Sequence, residues 1–170
     1  MKILSSIPVN SVLYEESKKA SYKDSVRILT ARSDVQSWEL IAAFFNSAPK
    51  WMVYLLNIRN KIVKLFGLKV GMIDKELVSP PFKAGQQLGV FKLYSVSETE
   101  SVIGEDDKHL DFRISFIIDT KNGNELVMST VVNINNKLGA VYMFFVKPIH
   151  RILVSIMIKK MNTLINLNSG

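Results

Sequence analysis

The chain has 170 residues, 48% of them hydrophobic and 22% charged, with a formal net charge of +7 and no cysteine. That length fits one domain burying roughly 70% of its unfolded surface, and the mix excludes a disordered chain. The lack of cysteine excludes disulfides, thiolate metal sites and cysteine nucleophiles, and fits the cytoplasmic localisation expected here.

The opening Met-Lys-Ile-Leu-Ser-Ser-Ile-Pro has too short an apolar core for a signal peptide. The most apolar region, Leu138 to Ile158, is broken by Lys147-Pro148 and His150-Arg151. It falls short of the ~20 apolar residues in a row that a span needs, so no transmembrane helix is expected. The charge is uneven: no acidic residue follows Glu125, whereas Lys137, Lys147, Arg151, Lys159 and Lys160 are basic. Such a segment reads first as a solvated helix face and second as a contact for an anionic surface. Nucleic-acid binding is not expected, because no aromatic residues interleave with the bases as a recognition module requires.

In chain order, residues 1–20 read as an irregular lead-in and residues 21–166 as a single domain. Tyr22 to Leu29 alternates as a first strand, with Tyr22, Asp24, Val26 and Ile28 on one face. Ser33 and Gln36 have capping-box spacing, predicting a helix to about Asn46 that buries Val35, Trp38, Ile41, Ala42 and Phe45. Ser47-Ala48-Pro49 opens a second helix, in which Trp51, Tyr54, Leu55, Ile58, Ile62, Leu65 and Phe66 recur at helical spacing before Gly67. Met72 to Val78 reads as a short strand, and Ser79-Pro80-Pro81 as a loop.

From Leu88 the pattern is strands throughout. Leu88 to Val96 and Ser101 to Gly104 precede a central strand within Asp106 to Asp119, where Leu110, Phe112, Ile114, Phe116 and Ile118 alternate with His109, Asp111, Arg113 and Ser115. Lys121-Asn122-Gly123-Asn124 predicts a hairpin turn, and Glu125 to Ile134 returns as the partner strand. Leu138 to Leu164 reads either as a strand plus a helix or as one long helix interrupted by Pro148. The recurrence of Lys147, Arg151, Ser155 and Lys159 every four residues, a helix's wet stripe, favours the helix kinked by that proline.

This order predicts an α+β domain, an antiparallel sheet whose apolar face is covered by the C-terminal helix, with two short helices after the first strand. It resembles the helix-grip fold of the Bet v 1 and START-related (SRPBCC) proteins, which implies a pocket for an apolar ligand between sheet and helix. Several motifs look more specifically like a bacterial family, domain of unknown function 2867. They are Pro49-Lys50-Trp51, Leu56-Asn57-Ile58-Arg59-Asn60, Phe66-Gly67-Leu68, Asp107-Lys108-His109-Leu110-Asp111-Phe112-Arg113 and Lys147-Pro148-Ile149-His150-Arg151. Similar domains occur behind NAD(P)-binding domains, so the resemblance also implies an NAD(P)-binding protein as a partner. This chain has no G-x-G-x-x-G loop itself, and no cofactor is expected.

Candidate chemistry centres on the two histidines. His109, Asp111 and Arg113 on one strand face could orient a general acid–base beside an oxygen-binding guanidinium, or simply form a charged outer face. His150 either reaches the pocket or satisfies carbonyls freed by Pro148. Glu105, Asp106, Asp107, His109 and Asp111 crowd together without a metal-loop pattern, so no metal is expected. Phe112, Ile114, Phe116, Met128, Tyr142, Met143, Phe144 and Trp51 are the expected pocket lining. The first functional reading is a non-catalytic binder of a small apolar ligand. The others are an enzyme using His109 or His150 on a carbonyl substrate, and a membrane-surface or protein interaction module using the basic C-terminal segment.

Overall fold

The computed structural model describes residues 1–52, 54, 57, 80–121 and 123–167. In chain order these form β1 (Lys2–Leu4), α1 (Tyr14–Ser17), β2 (Tyr22–Leu29), α2 (Ser37–Ser47), β3 (Gln87–Leu88), β4 (Phe91–Val96), β5 (Glu100–Asp106), β6 (Leu110–Asp119), β7 (Glu125–Ile134) and α3 (Lys137–Leu167). The strands make one seven-stranded antiparallel sheet in the order β1-β2-β7-β6-β5-β4-β3. The architecture is α+β, with a long C-terminal helix against the sheet.

Side-chain alternation decides which residues face the helices. Even positions of β6, Phe112, Ile114 and Phe116, pair in register with Val132, Thr130 and Met128 of β7. Phe116 is fully buried beneath α2, 5.0 Å from the Phe44 ring centroid, and Phe44, Phe45 and Phe91 pack edge-to-face around it. Each such ring taken out of water stabilises the fold by about 1.5–3 kcal/mol. Thus α2 covers β5 and β6 while α3 covers β2 and β7, and the two helices pack on each other. The covering layer is shared between two helices, where the sequence pattern assigned it to the last one alone.

Several boundaries differ from expectation for local reasons. Helix α2 starts at Ser37, because Glu39 accepts the Gln36 N–H at 3.0 Å and caps the helix three residues later than the Ser33–Gln36 spacing predicts. The buried stripe becomes Leu40, Ile41, Phe44 and Phe45, and Trp38 is left 41% exposed. Residues 50–52, 54 and 57 are helical, but Trp51 and Tyr54 are exposed. Ile58, Ile62, Leu65, Phe66 and Gly67, and the strand read over Met72 to Val78, lie outside the described residues. Gly89, at φ +66°, folds Leu88 back onto Phe91 and so splits the expected Leu88 to Val96 strand. The pairing of β6 with β7 ends at Asp119 and Glu125, farther apart in the chain than a two-residue turn would leave them.

Helix α3 is a single helix of 31 residues with Pro148 inside it. Pro148 withholds the N–H that the Phe144 carbonyl would accept, a loss tolerated because both residues are exposed and solvent can substitute. By length and composition alone, α3 is long and apolar enough to cross a membrane.

The other sheet face is not bare. Residues 1–20 are more than an irregular lead-in, since β1 pairs with β2 and Ile7 and Leu13 pack on Val102 and Val131. The segment is pinned by Glu100, only 5% exposed, whose carboxyl oxygens accept the Ser11 hydroxyl at 2.6 Å and the Val12 N–H at 2.8 Å. Ser115 donates to the same carboxyl group from β6. This cover explains why odd β6 residues such as Ser115 and Ile117 are buried although they face away from the helices.

Candidate functional site

Between the sheet and α3 lies a cavity of about 400 Å³. Its floor is a patch of adjacent rows on β6 and β7, with Phe112 beside Val132 and Ile114 beside Thr130. Tyr142, Met143, Val146 and Leu153 of α3 close it from above, and Phe44 and Met52 complete one wall. A cavity of this size with a mainly apolar lining and a few placed polar groups is typical of small-molecule sites.

The polar groups sit on two flanks. One row of the sheet runs Tyr22, Val132, Phe112, Glu105 across β2, β7, β6 and β5. At a strand spacing of about 4.8 Å, its polar ends are roughly 14 Å apart, with apolar side chains between them. On the β2 flank, His150 Nε2 lies 3.3 Å from Asp24 Oδ2, and the Tyr22 hydroxyl donates to the same carboxylate. The Tyr22 and His150 rings meet edge-on at 5.9 Å. On the β5 flank, His109 Nδ1 lies 3.4 Å from Asp107 Oδ2, and the Tyr142 ring meets His109 edge-on at 5.4 Å. Each histidine therefore has one aspartate and one tyrosine, and both line the same cavity. Such a set can hold a hydrogen-bonding group of a guest or move a proton to and from it.

Burial drives the acidities on the β2 flank. Burial and the bond to Asp24 push the Tyr22 hydroxyl up to about 12, so it remains a donor at neutral pH. Burial alone would raise the Asp24 carboxyl, but its bonds to His150 and Tyr22 outweigh that and hold it below 3.8. The stability this depression confers is present above 3.8 and is lost as pH falls through the lower folded value. Replacing Asp24 with Asn is expected to cost about 1–2 kcal/mol near neutrality and to flatten the acid limb of a denaturant-midpoint profile below about pH 4. An acid limb identical to that of the unsubstituted protein would show that another carboxylate controls it.

The candidate set His109, Asp111 and Arg113 is separated by the fold. His109 lies in the turn before β6, where the Asp107 N–H reaches the Leu110 carbonyl at 3.1 Å. The alternation begins only at Leu110, so the turn sends His109 inward, to 2% exposure, when strict alternation would turn it out. Asp111 instead accepts the Asp107 N–H at 3.2 Å. Arg113 stays on the outer face, its guanidinium 3.7 Å from the Tyr94 ring centroid and 2.7 Å from Asp106. Burial and the bond to Asp106 push Tyr94 up to about 12 there. The acidic cluster is likewise dispersed, and no group of three or more metal-ligating side chains occurs among the described residues.

Of the expected lining, Phe112, Ile114, Met128, Tyr142 and Met143 face the cavity. Phe116 does not, being sealed under α2, and Phe144 and Trp51 are 76% and 40% exposed. Met52, one residue after Trp51, takes the inward position on the wall. His150 lines the cavity, with its Nε2 held against Asp24. Asp24 and Tyr22 were the residues missed. Their signal was an aspartate on the face of β2 otherwise made of Tyr22, Val26 and Ile28, since an acid on a core face needs partners.

No curated protein matches the sequence at a significant level. Residues 17–157 do match the family described as "Protein of unknown function (DUF2867)", and by that match, which covers more than half of its length, the chain belongs to this family.

Proposed function

We propose that this chain is a helix-grip domain of the Bet v 1/START-like kind and that its cavity binds a small, largely apolar molecule. The meander β3 to β7, extended by β2 pairing with β7 and covered by a C-terminal helix, supports the fold reading. The observation carrying the function is the cavity of about 400 Å³ with an apolar floor between two polar flanks. Its shape suits a guest with an apolar body and a hydrogen-bonding group toward each end.

Native mass spectrometry of protein purified without denaturant is expected to show a co-purifying adduct of a few hundred daltons. A thermal-shift panel of fatty acids, sterol-like and polyketide-like compounds should raise Tm for the fitting class, by about 2.7 kcal/mol of stabilisation at a hundredfold excess over Kd. Replacing Ile114 with Trp should abolish the shift by filling the floor. No adduct and an unmoved Tm across the panel would remove the reading.

A second reading is favoured by the two histidine–aspartate pairs on one cavity. It makes the chain an enzyme whose His109 or His150 acts as general acid–base on a carbonyl-bearing guest. In that case the His150→Ala variant loses turnover and keeps guest affinity. Parallel loss of affinity and turnover would assign His150 to positioning or to structure.

A further inference from the structure

We infer that the outer face of α3 docks the protein onto an anionic lipid surface. Val141, Phe144, Phe145, Ile149, Ile152 and Ile156 are 57%, 76%, 64%, 39%, 60% and 40% exposed, although all are large and apolar. At 3.6 residues per turn they form one stripe, about 22 Å long at 1.5 Å per residue. A continuous apolar stripe of that length on a folded domain marks an interaction surface, unlike scattered exposed residues. Phe144 and Phe145 stand toward its N-terminal end as an exposed edge-to-face pair, their ring centroids 5.2 Å apart.

The surroundings of the stripe select the occupant. Lys137 precedes it, Lys159 and Lys160 follow it, and Lys147 and Arg151 flank it, all exposed. No acidic residue lies on α3. An apolar stripe whose charged neighbours along the helix are all cations is the pattern of a helix lying in the headgroup region, where each cation adds severalfold to binding on anionic lipid. A second copy of the chain is a poorer fit, because antiparallel pairing of two such helices would set Lys137 of each against Lys159 and Lys160 of the other. Spanning fits poorly too, since Val154, Met157, Ile158, Met161 and Ile165 are buried in the main core. The turn that presents Phe144 and Phe145 to solvent also presents Tyr142 and Met143 to the cavity, so docking brings the cavity wall to the lipid surface. The inference stands whether or not the cavity holds a guest.

The test is co-sedimentation of the full chain with phosphatidylcholine vesicles, with and without a quarter phosphatidylserine, at low and high salt. Binding is expected only with phosphatidylserine and should fall at least tenfold at high salt. The F144S/F145S and K159E/K160E variants should each lose about tenfold or more, with circular dichroism and Tm unchanged. Absence of vesicle binding, or binding indifferent to both variants, overturns the inference. So does a dimer in light scattering that F144S/F145S converts to monomer without any vesicle binding, or resistance of the membrane-bound protein to carbonate extraction.

Discussion

Replacing Gly139 with alanine is expected to destabilise the protein by about 2 kcal/mol, although alanine is the better helix former by about 1 kcal/mol. The reason is the close approach of α3 to the turn that carries His109. A Cβ on Gly139 would stand 2.0 Å from the His109 carbonyl oxygen and 2.9 Å from its carbonyl carbon. Both are backbone atoms, and that oxygen also accepts the Asn135 N–H at 3.0 Å. The helix start must therefore lift from the sheet, at a cost in the overpacking range of about 1–3 kcal/mol or more before the propensity gain is subtracted. Because Tyr142 sits one turn on against the His109 ring, the lift also opens the β5 flank of the cavity. Thermal unfolding should show Tm lower by roughly 4–8 °C. A Tm equal to or above that of the unsubstituted protein would mean that α3 is not seated on His109.

The Glu100→Ala substitution is expected to cost about 3 kcal/mol, the largest effect among these substitutions. It strips the acceptor from Ser11, Val12 and Ser115 at once, in a place with almost no access to water. Each buried donor left without a partner costs about 1–3 kcal/mol, moderated here because Ser11 and Ser115 stand 3.4 Å apart and can turn to each other. The loss should also have a place. The segment over the back of the sheet is released, so limited proteolysis should cut within residues 5–20 in Glu100→Ala before any global unfolding. Destabilisation without that early cleavage would assign the cost to the sheet and not to the segment.

The fate of His109 shows how much of this protein could be read in one dimension. The alternation from Leu110 to Ile118 correctly sorted Phe112 and Ile114 inward and Arg113 outward, because strand geometry leaves a side chain only two directions. His109 lies one residue before that regime, where a turn sets direction, and alternation extended over it gave the wrong side. Phe144 was misassigned similarly. An apolar residue on a helix is read as core, yet α3 is apolar on its outer face as well as its inner one. Trp38 fell outside because the start of α2, and hence its buried stripe, is set by the cap at Gln36.

Local pattern alone was enough for the α+β class and for β2 and β7 to the residue, since periodicity and turn chemistry act over a few neighbours; for the C-terminal segment it left a strand plus a helix open beside the single helix through Pro148 that the fold adopts. It could not bring Asp24 to His150, which lie 126 residues apart and meet only because β2 pairs with β7 under α3. Nor could it separate Arg113 from His109 or set Glu100 over Ser11, which is 89 residues away. Partners of buried polar groups are chosen by the packing of distant segments, and that choice exists only once the chain has closed on itself.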